Sequence, residues 1–296
     1  MTRFGRVLTA MVTPFDANGA LDLDMAQKLA KWLVANGNDG LVVTGTTGEA
    51  PTLSETEKLS LWAAVIEAVD VPVIVGSGSN DTAHSVYLTA EGAKLGAAGA
   101  LCVCPYYNRP SQAGIEAHVR AVAAASEMPV VVYDIPVRSG RKINTDVLLR
   151  LAREVPNIVA LKDAAGNPGE TAKLIAAAPE GLEVYSGDDV LTLPLLSVGA
   201  VGVIGVATHW TGLDHQEMFR HLDKGDLVGA RTINARLLES FTFETGDEAP
   251  NPVPTKAMLR HLGLEVGFAR LPMGPDPEWL AARAEAVFAN LEASRG

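Results

Sequence analysis

Cysteine, aromatic residues, positive charge and long apolar runs are all scarce in this 296-residue sequence. Aromatic residues make up 5% of the chain and hydrophobic residues 48%, so Ala, Val, Leu and Ile must build the core. Such a core favours repeated helix–strand packing over a sandwich centred on aromatic rings. Lys and Arg total 24 against 35 Asp and Glu, which gives a formal charge of −11. This acidic balance argues against a nucleic-acid partner, which would need a basic face.

The sequence has no apolar run that approaches the roughly 18 residues of a membrane span. Its first residues lack the apolar core and cleavage site of a signal peptide. We therefore expect a soluble, cytoplasmic protein with no membrane partner. The two cysteines, Cys102 and Cys104, have a poor spacing for zinc ligands. We expect both thiols to pack as small hydrophobic side chains, and we predict no metal site.

Short apolar runs alternate with segments of helical spacing along most of the chain. Three of the returns from helix to strand carry a Gly-x-x-Gly stretch. The first glycine suits a left-handed helix cap, and the second allows two backbones to approach closely. The predicted strands are Val7–Val12, Leu41–Val43, Val71–Val75, Ala100–Val103, Val130–Tyr133, Ile158–Leu161, Leu182–Tyr185 and Val201–Ile204.

Eight strand–helix units, with strands apolar on both faces, predict an α/β fold, a parallel (β/α)8 TIM barrel. A doubly wound open sheet is the rival, but it would place a glycine-rich phosphate loop after its first strand. Here Thr13–Phe15 follows instead. We assign residues 1–224 to the catalytic barrel and residues 225–296 to a C-terminal helical extension. The proline-rich segment Pro250–Pro254 should be extended between two helices of that extension.

The chemistry of a parallel barrel lies on the loops that follow its strands. Lys162 follows the sixth apolar run, where burial would lower the pKa of its ammonium group. A neutral amine can form a Schiff base with a carbonyl compound, although a solvated lysine at a strand end is the alternative. Thr46 and Thr47 lie in the loop Thr44–Glu49 after the second strand. Their hydroxyls and the loop amides could bind a small anion, unless the loop is a plain turn.

Tyrosine is concentrated at two further strand ends. Three of the five tyrosines, Tyr106, Tyr107 and Tyr133, follow or end the fourth and fifth strands, and Arg138 comes soon after. Packing at the barrel rim or a surface ion pair would also explain these positions. Together with Lys162, however, the residues supply an amine, a proton relay and anion contacts. Schiff-base chemistry on a small carboxylated ketone needs such a set.

Four motifs, in this order and spacing, resemble the dihydrodipicolinate synthase and N-acetylneuraminate lyase superfamily of pyruvate-dependent class I aldolases. The resemblance is closest to its 4-hydroxy-tetrahydrodipicolinate synthase branch and runs nearly end to end. It implies a lyase that condenses pyruvate with L-aspartate 4-semialdehyde on the route to diaminopimelate and lysine, with no cofactor beyond a covalent imine. The motifs are Gly45-Thr-Thr-Gly-Glu49, Pro105-Tyr-Tyr-Asn108, Tyr133-Asp-Ile-Pro136 with Arg138, and Val159-Ala-Leu-Lys-Asp163.

The resemblance implies catalytic roles for particular residues. Lys162 would form the imine with pyruvate, and Tyr133 would be the central proton donor and acceptor. Thr46 and Tyr107 would complete a relay to solvent. In this family the second tyrosine of the pair, here Tyr107, usually crosses into the neighbouring subunit's site. A homotetramer, built as a dimer of dimers, is therefore expected.

The resemblance also implies how the substrates are held. Thr47 would bind the pyruvate carboxylate, and the main chain of Ile204 would contact bound pyruvate. Gly187 is assigned to the same site. Arg138 would orient the relay and bind the carboxylate of the incoming aldehyde. These four residues are the predicted substrate contacts.

Two other functions stay open from the sequence. Another pyruvate aldolase or dehydratase, acting on 2-keto-3-deoxy sugar acids or N-acetylneuraminate, is the alternative enzyme. Neuraminate lyases usually carry Ser-Thr where this chain has Thr46-Thr47, and they lack the paired tyrosine–arginine arrangement, to which Arg138 belongs here. A non-enzymatic relative would be expected to lose Lys162 or Tyr133, and both are present.

Regulation by lysine is predicted to be weak or absent. Lysine-inhibited relatives use a histidine and a glutamate at positions that correspond here to Lys58 and His84. Lys58 would repel the ammonium of lysine, and His84 supplies no fixed negative charge at neutral pH. Asn80 and Tyr106 remain, so a remnant of the site is possible.

Overall fold

The computed structural model describes residues 2–296 of the chain. Its strands are hydrogen-bonded in chain order and close into an all-parallel barrel surrounded by helices, which confirms the predicted (β/α)8 TIM-barrel fold class. Each strand lies on one of the predicted apolar runs. The strands are β1 Val7–Ala10, β2 Gly40–Val43, β3 Val73–Gly76, β4 Gly99–Val103, β5 Val130–Asp134, β6 Ile158–Asp163, β7 Glu183–Ser186 and β8 Gly202–Gly205.

The chain divides into two compact units, which we name by one residue of each. The Lys162 unit comprises residues 2–6 and 72–204, and the Thr47 unit comprises residues 7–71 and 205–296. The Lys162 unit contains helices α3 Thr82–Lys94, α4 Gln112–Ala123, α5 Pro136–Ser139, α6 Thr145–Glu154, α7 Pro168–Ala177 and α8 Thr192–Ser197. The Thr47 unit contains α1 Leu23–Ala35, α2 Glu55–Ala68, α9 Thr208–Asp223, α10 Leu227–Phe243, α11 Val253–His261 and α12 Leu280–Arg295.

Local sequence signals fix several helix ends. Ser54 and Glu57 form a capping box at the start of α2, in which each side chain accepts a hydrogen bond from the other's backbone N–H. Pro168 lies in the first turn of α7, where the amide hydrogen that proline lacks has no intrahelical partner. Asn144 is the N-cap residue of α6 as predicted, but its side chain makes no capping hydrogen bond.

The glycine-rich returns have the predicted backbone. Gly37, Gly96 and Gly199 have φ values of +91°, +82° and +108°, the left-handed conformation that glycine adopts without steric cost. At Gly202 a Cβ atom would lie 2.2 Å from the carbonyl oxygen of Arg6. Only glycine can therefore begin β8 at this close approach of two backbones.

The two cysteines belong to an apolar core within the Lys162 unit. Cys102 and Cys104 pack among buried Ala, Val, Ile and Leu side chains of β4–β7 and the helices outside them. Burial raises the pKa of the Cys102 thiol to about 12 and that of Cys104 to about 11. Both thiols are therefore protonated at neutral pH, which suits a packing role rather than a reactive one.

The C-terminal residues are helical as predicted, but one expected feature is wrong. α11 begins at Val253, so Pro254 lies in the first turn of a helix and not in an extended segment. The first turn tolerates proline because its N–H would have no partner inside the helix. The division into a barrel of residues 1–224 and a helical region of residues 225–296 stays a prediction. Across residues 2–296, no helix is both long and apolar enough to cross a membrane.

Candidate active site

Lys162 lies inside β6, one residue before its end, and not after the strand as the sequence predicted. The strand continues because Lys162 pairs in register with Tyr133 of β5 on one side and with Tyr185 of β7 on the other. Its side chain is only 4% exposed. A lysine held by strands on both sides has a fixed position, unlike a lysine on a surface loop.

Lys162 and Tyr133 form the centre of the site in the Lys162 unit. The Lys162 Nζ atom lies 4.5 Å from the centre of the Tyr133 ring, within cation–π range. Tyr133 is also buried, at the end of β5. A tyrosine hydroxyl can act as a proton donor or acceptor towards a group bound to a neighbouring amine. The structure therefore brings together the two residues that were predicted to carry the chemistry.

Gly187 packs directly against the Lys162 side chain. A Cβ atom on Gly187 would lie 2.9 Å from Cγ and 3.0 Å from Cε of Lys162, and 3.1 Å from Cβ of Ala164. No larger residue fits without moving the lysine. Gly187 therefore has a steric role beside the amine, which the sequence alone did not reveal.

Two buried aspartates follow the candidate catalytic residues on their strands. Asp134 and Asp163 pair in register across β5 and β6. Asp163 Oδ2 accepts a hydrogen bond of 2.6 Å from Thr171 Oγ1 of α7. Asp134 Oδ1 accepts one of 3.1 Å from the backbone N–H of Ile143. Burial raises the pKa of Asp134 to about 6. These contacts tie the strand ends that carry Tyr133 and Lys162 to the segments outside the barrel.

Arg138 and Tyr107 are both exposed in this chain. Arg138 lies in the short helix α5, whereas the sequence predicted a loop. Tyr107 is 89% exposed and has a φ of +71°, a conformation that non-glycine residues rarely adopt. An aromatic side chain presented to solvent by a strained backbone suggests a contact outside its own chain. Neither residue packs into the core of the Lys162 unit.

The threonine loop of the Thr47 unit is a tight, strained turn. Thr44 and Glu49 both have a φ of +57°, and the Glu49 N–H donates a 3.0 Å hydrogen bond to the carbonyl of Thr46. The Thr44 hydroxyl accepts a 2.8 Å bond from the Trp62 indole. Thr46 is half-buried, and Thr47 is 3% exposed. Strain of this kind at a loop with two hydroxyls is typical of a binding site.

A residue near the C-terminus reaches this loop, and the sequence analysis assigned it no role. Asn251 Nδ2 donates a 2.9 Å hydrogen bond to Thr47 Oγ1 in the buried interior of the Thr47 unit. The Asn251 Oδ1 atom in turn lies 3.4 Å from Thr255 Oγ1, which donates to it. Asn251 lies in the proline-rich segment Pro250–Pro254, for which the sequence predicted only an extended backbone.

A second buried lysine, Lys256, also contacts the loop. Its Nζ atom lies 2.7 Å from Glu49 Oε1 and donates a 3.0 Å hydrogen bond to the carbonyl of Phe268. Burial lowers the pKa of Lys256 to about 8, although the Glu49 carboxylate opposes the shift. Its ammonium is thus held in an ion pair that anchors α11 to the loop.

The last predicted contact, Ile204, is fully buried in β8. No three His, Cys, Asp or Glu side chains group as a metal ion would require anywhere in residues 2–296. The candidate site residues therefore form two groups: an amine beside a phenol within the Lys162 unit, and a hydroxyl-bearing loop within the Thr47 unit.

Comparison with known proteins assigns this chain to a family. A sequence profile of the dihydrodipicolinate synthetase family matches residues 3–287. This chain belongs to the dihydrodipicolinate synthetase family. The predicted superfamily is therefore confirmed.

Curated relatives and solved structures are similar to this chain over nearly its full length. The 4-hydroxy-tetrahydrodipicolinate synthase of Thermosynechococcus vestitus is 46% identical over 296 residues and matches 98% of each chain. The enzyme of the same name from Bacillus subtilis is 44% identical, over 92% of this chain and 94% of that one. A solved structure of the synthase from Cyanidioschyzon merolae with lysine bound has a TM-score of 0.96 and 41% identity, over 99% of both chains. The predicted branch of the superfamily and the predicted lyase class are confirmed.

Proposed function

We propose that this chain condenses pyruvate with L-aspartate 4-semialdehyde through an imine on Lys162. The observation that carries this proposal is the burial of Lys162 in β6, with its amine beside the ring of Tyr133 and its stem against Gly187. The names of the relatives support the choice of substrates. No external cofactor is needed, because the imine itself activates pyruvate.

The chemistry requires an amine and a proton carrier. The Lys162 amine attacks C2 of pyruvate, and the carbonyl oxygen leaves as water, which forms the imine. Loss of a proton from C3 gives an enamine, and C3 then adds to the aldehyde carbon while the aldehyde oxygen gains a proton. The amino group of the aldehyde substrate then attacks C2 and passes its protons to the departing Lys162 amine, which closes the ring and frees the lysine. Tyr133 lies close enough to Lys162 to carry these protons. Thr46 and Tyr107 would connect Tyr133 to solvent.

The carboxylates of the substrates need separate donors. As the family resemblance implies, we assign the carboxylate of pyruvate to Thr47, whose hydroxyl can donate a hydrogen bond to it. Gly187 and the main chain of Ile204 complete the pyruvate contacts. Arg138, exposed on α5, would bind the carboxylate of the aldehyde, since its guanidinium carries a permanent charge and several donors.

The assembly and the location are part of the same proposal. We assign Tyr107 to the active site of a neighbouring subunit, in a homotetramer built as a dimer of dimers. Its 89% exposure and its strained backbone support a partner at this position. The expected location is the cytoplasm.

Borohydride reduction tests the imine. Incubation with pyruvate and borohydride should add the mass of the reduced adduct to the peptide that contains Lys162. Lys162→Ala should lose the adduct and reduce turnover by several orders of magnitude. Lys256→Ala is the matched buried-lysine control and should retain the adduct on Lys162. Absence of any adduct on Lys162 in the wild-type chain would overturn the class I assignment.

Substrate comparison separates this reaction from that of other pyruvate aldolases. Pyruvate consumption with aspartate semialdehyde should greatly exceed retro-aldol cleavage of 2-keto-3-deoxy sugar acids or of N-acetylneuraminate. The opposite ranking would keep Lys162 as the nucleophile but assign the alternative substrates.

Feedback by lysine should be weak or absent. Lys58, on α2, is a basic residue and supplies no negative charge to an ammonium group. His84, on α3, carries no fixed negative charge. A steady-state assay should show little inhibition by submillimolar lysine. Half-inhibition well below millimolar lysine would contradict this expectation.

A further inference from the structure

The hydroxyl of Thr47 accepts a hydrogen bond from a side chain that lies 204 positions later in the chain. Asn251 Nδ2 lies 2.9 Å from Thr47 Oγ1 and donates a hydrogen bond to it. Both side chains are buried, so water does not compete for this bond. The hydrogen bond therefore restricts which way the hydroxyl proton of Thr47 can point.

The direction in which the Thr47 hydroxyl proton can point follows from the chemistry of the hydroxyl and of the Asn251 amide. A threonine hydroxyl has one proton and two lone pairs, whereas an amide NH2 group can only donate. Asn251 therefore occupies one lone pair of Thr47 and cannot accept its proton. The amide is oriented on its other side by Thr255, whose hydroxyl donates to Asn251 Oδ1 at 3.4 Å. The proton of Thr47 is left to donate to an acceptor other than Asn251.

We propose that Asn251 is a positioning residue that turns the Thr47 hydroxyl into a donor to the carboxylate of pyruvate. A carboxylate only accepts hydrogen bonds, so it needs a hydroxyl whose proton is not already committed. Asn251 acts through Thr47 and does not itself touch the substrate. This inference rests on the proposed function, because it assumes that Thr47 binds pyruvate.

The loop is held in place by contacts that do not involve the Asn251 side chain. Thr13 Oγ1 donates a 2.6 Å hydrogen bond to the carbonyl of Gly48. The buried Glu49–Lys256 ion pair fixes the end of the loop. Substitution of the Asn251 side chain should therefore change the orientation of one hydroxyl while the loop keeps its position.

Steady-state kinetics of Asn251→Ala tests the proposal. We expect KM for pyruvate to rise about tenfold, the effect of weakening one hydrogen bond to a charged group. KM for aspartate semialdehyde should change less than twofold. Thr245→Val is the matched control, because Thr245 contacts only the backbone N–H of Asn251, at 3.3 Å. It should leave KM for pyruvate unchanged.

A double-mutant cycle separates positioning from a general structural role. In the Thr47→Val background, which lacks the hydroxyl, Asn251→Ala should raise KM for pyruvate by less than twofold. An undiminished effect in that background would overturn the inference. An unchanged KM for pyruvate in correctly folded Asn251→Ala would also overturn the inference.

A second substitution keeps the test decisive if Asn251→Ala fails to fold. Asn251→Asp has nearly the same shape, but its carboxylate would accept the Thr47 proton. KM for pyruvate should then rise more than tenfold near neutral pH and recover towards acid pH, where the protonated carboxyl group can donate again. A pH profile parallel to that of the wild type would overturn the inference.

Imine trapping distinguishes the two possible failures. At saturating pyruvate, Asn251→Ala should still form the borohydride-reduced adduct on Lys162. If the wild-type chain forms no adduct, the proposed function fails. If it forms the adduct and the Asn251 variants bind pyruvate normally, only the role of Asn251 fails.

Discussion

Lys162 and Lys256 are both buried, and their neighbours distinguish their roles. Lys256 is paired with the Glu49 carboxylate at 2.7 Å, so its charge is matched by a permanent partner. Lys162 instead has its amine beside the ring of Tyr133. An ion pair of fixed geometry anchors structure, whereas an amine beside a phenol can gain and lose a proton. Burial alone would not identify the nucleophile.

At the scale of single residues, Gly187→Ala should impair imine formation. The added Cβ would lie 2.9 Å from Lys162 Cγ, so the lysine must move. We expect imine formation with pyruvate to slow about 100-fold, the effect of a displacement of about 1 Å in a reacting group. The rate of imine formation is measured by stopping the reaction with borohydride at successive times and quantifying the reduced adduct. Gly169→Ala is the control, since its Cβ would meet Asn167 Oδ1 at an ordinary 3.4 Å. Equal rates for the two variants would contradict the expected steric effect.

Functional residues at strand ends could be predicted from the sequence. Residues that only long-range contacts bring to the site could not. Lys162 and Tyr133 could be identified because an apolar run ends at each of them. Asn251 could not be, because its bond to Thr47 joins residues 204 positions apart and depends on where α11 packs. The steric role of Gly187 likewise depends on the Lys162 conformation. Local pattern carries no information of this kind.

At the scale of elements, strands were easier to predict than their ends. All eight apolar runs became strands because each is buried on both faces. β6 extends through Lys162 because neighbouring strands pair with it, which hydrophobicity does not reveal. The short helix α5 begins at Pro136 and is too short to show a helical period of its own. α11 begins within a proline-rich segment that the sequence predicted to be extended.

The start of α9 should make the stability of the fold sensitive to acid. His209 is fully buried; its Nε2 accepts a hydrogen bond from the Val12 N–H, and its Nδ1 donates to the carbonyl of Val206. Burial lowers the pKa of His209 to about 4. Between pH 4 and pH 6.5, the unfolded chain therefore binds a proton here that the folded chain does not. The free energy of unfolding must fall as the pH is lowered through this window.

Urea unfolding at several pH values measures this effect. From pH 7 to pH 4, the wild type should lose up to about 3 kcal/mol through His209, the free-energy equivalent of its pKa shift. His209→Gln keeps an acceptor for the Val12 N–H but does not titrate. Its free energy of unfolding should therefore fall less steeply over the same range. Parallel curves for the two proteins would contradict the assignment.

At the scale of the whole molecule, Tyr107 is proposed to act in the site of a neighbouring subunit. Its side chain is 89% exposed and its backbone is strained, although it is proposed to take part in proton transfer. A tyrosine in solvent would have no fixed geometry for that task. The oligomeric role of Tyr107 therefore needs a test of its own.

Mixing two inactive variants provides this test. Lys162→Ala lacks the nucleophile, and Tyr107→Phe lacks the proposed shared hydroxyl. If Tyr107 serves the neighbouring site, a mixed dimer places both substitutions in one site and leaves the other intact. Half of randomly formed dimers are mixed, so about a quarter of the wild-type rate per chain should return on co-expression.

The control pair is Lys162→Ala with Tyr133→Phe, because Tyr133 lies beside Lys162 in the same chain. Each site of that mixed dimer carries one substitution, so activity should not return. If activity returns in the mixture that contains Tyr107→Phe but not in the mixture that contains Tyr133→Phe, the Tyr107 hydroxyl acts in the neighbouring subunit's site. Equal inactivity of both mixtures, with mixed dimers verified by differently tagged chains, would place Tyr107 in the site of its own chain. Its exposure would then have to be removed by a movement within one subunit, because a proton relay needs the phenol next to the reacting groups.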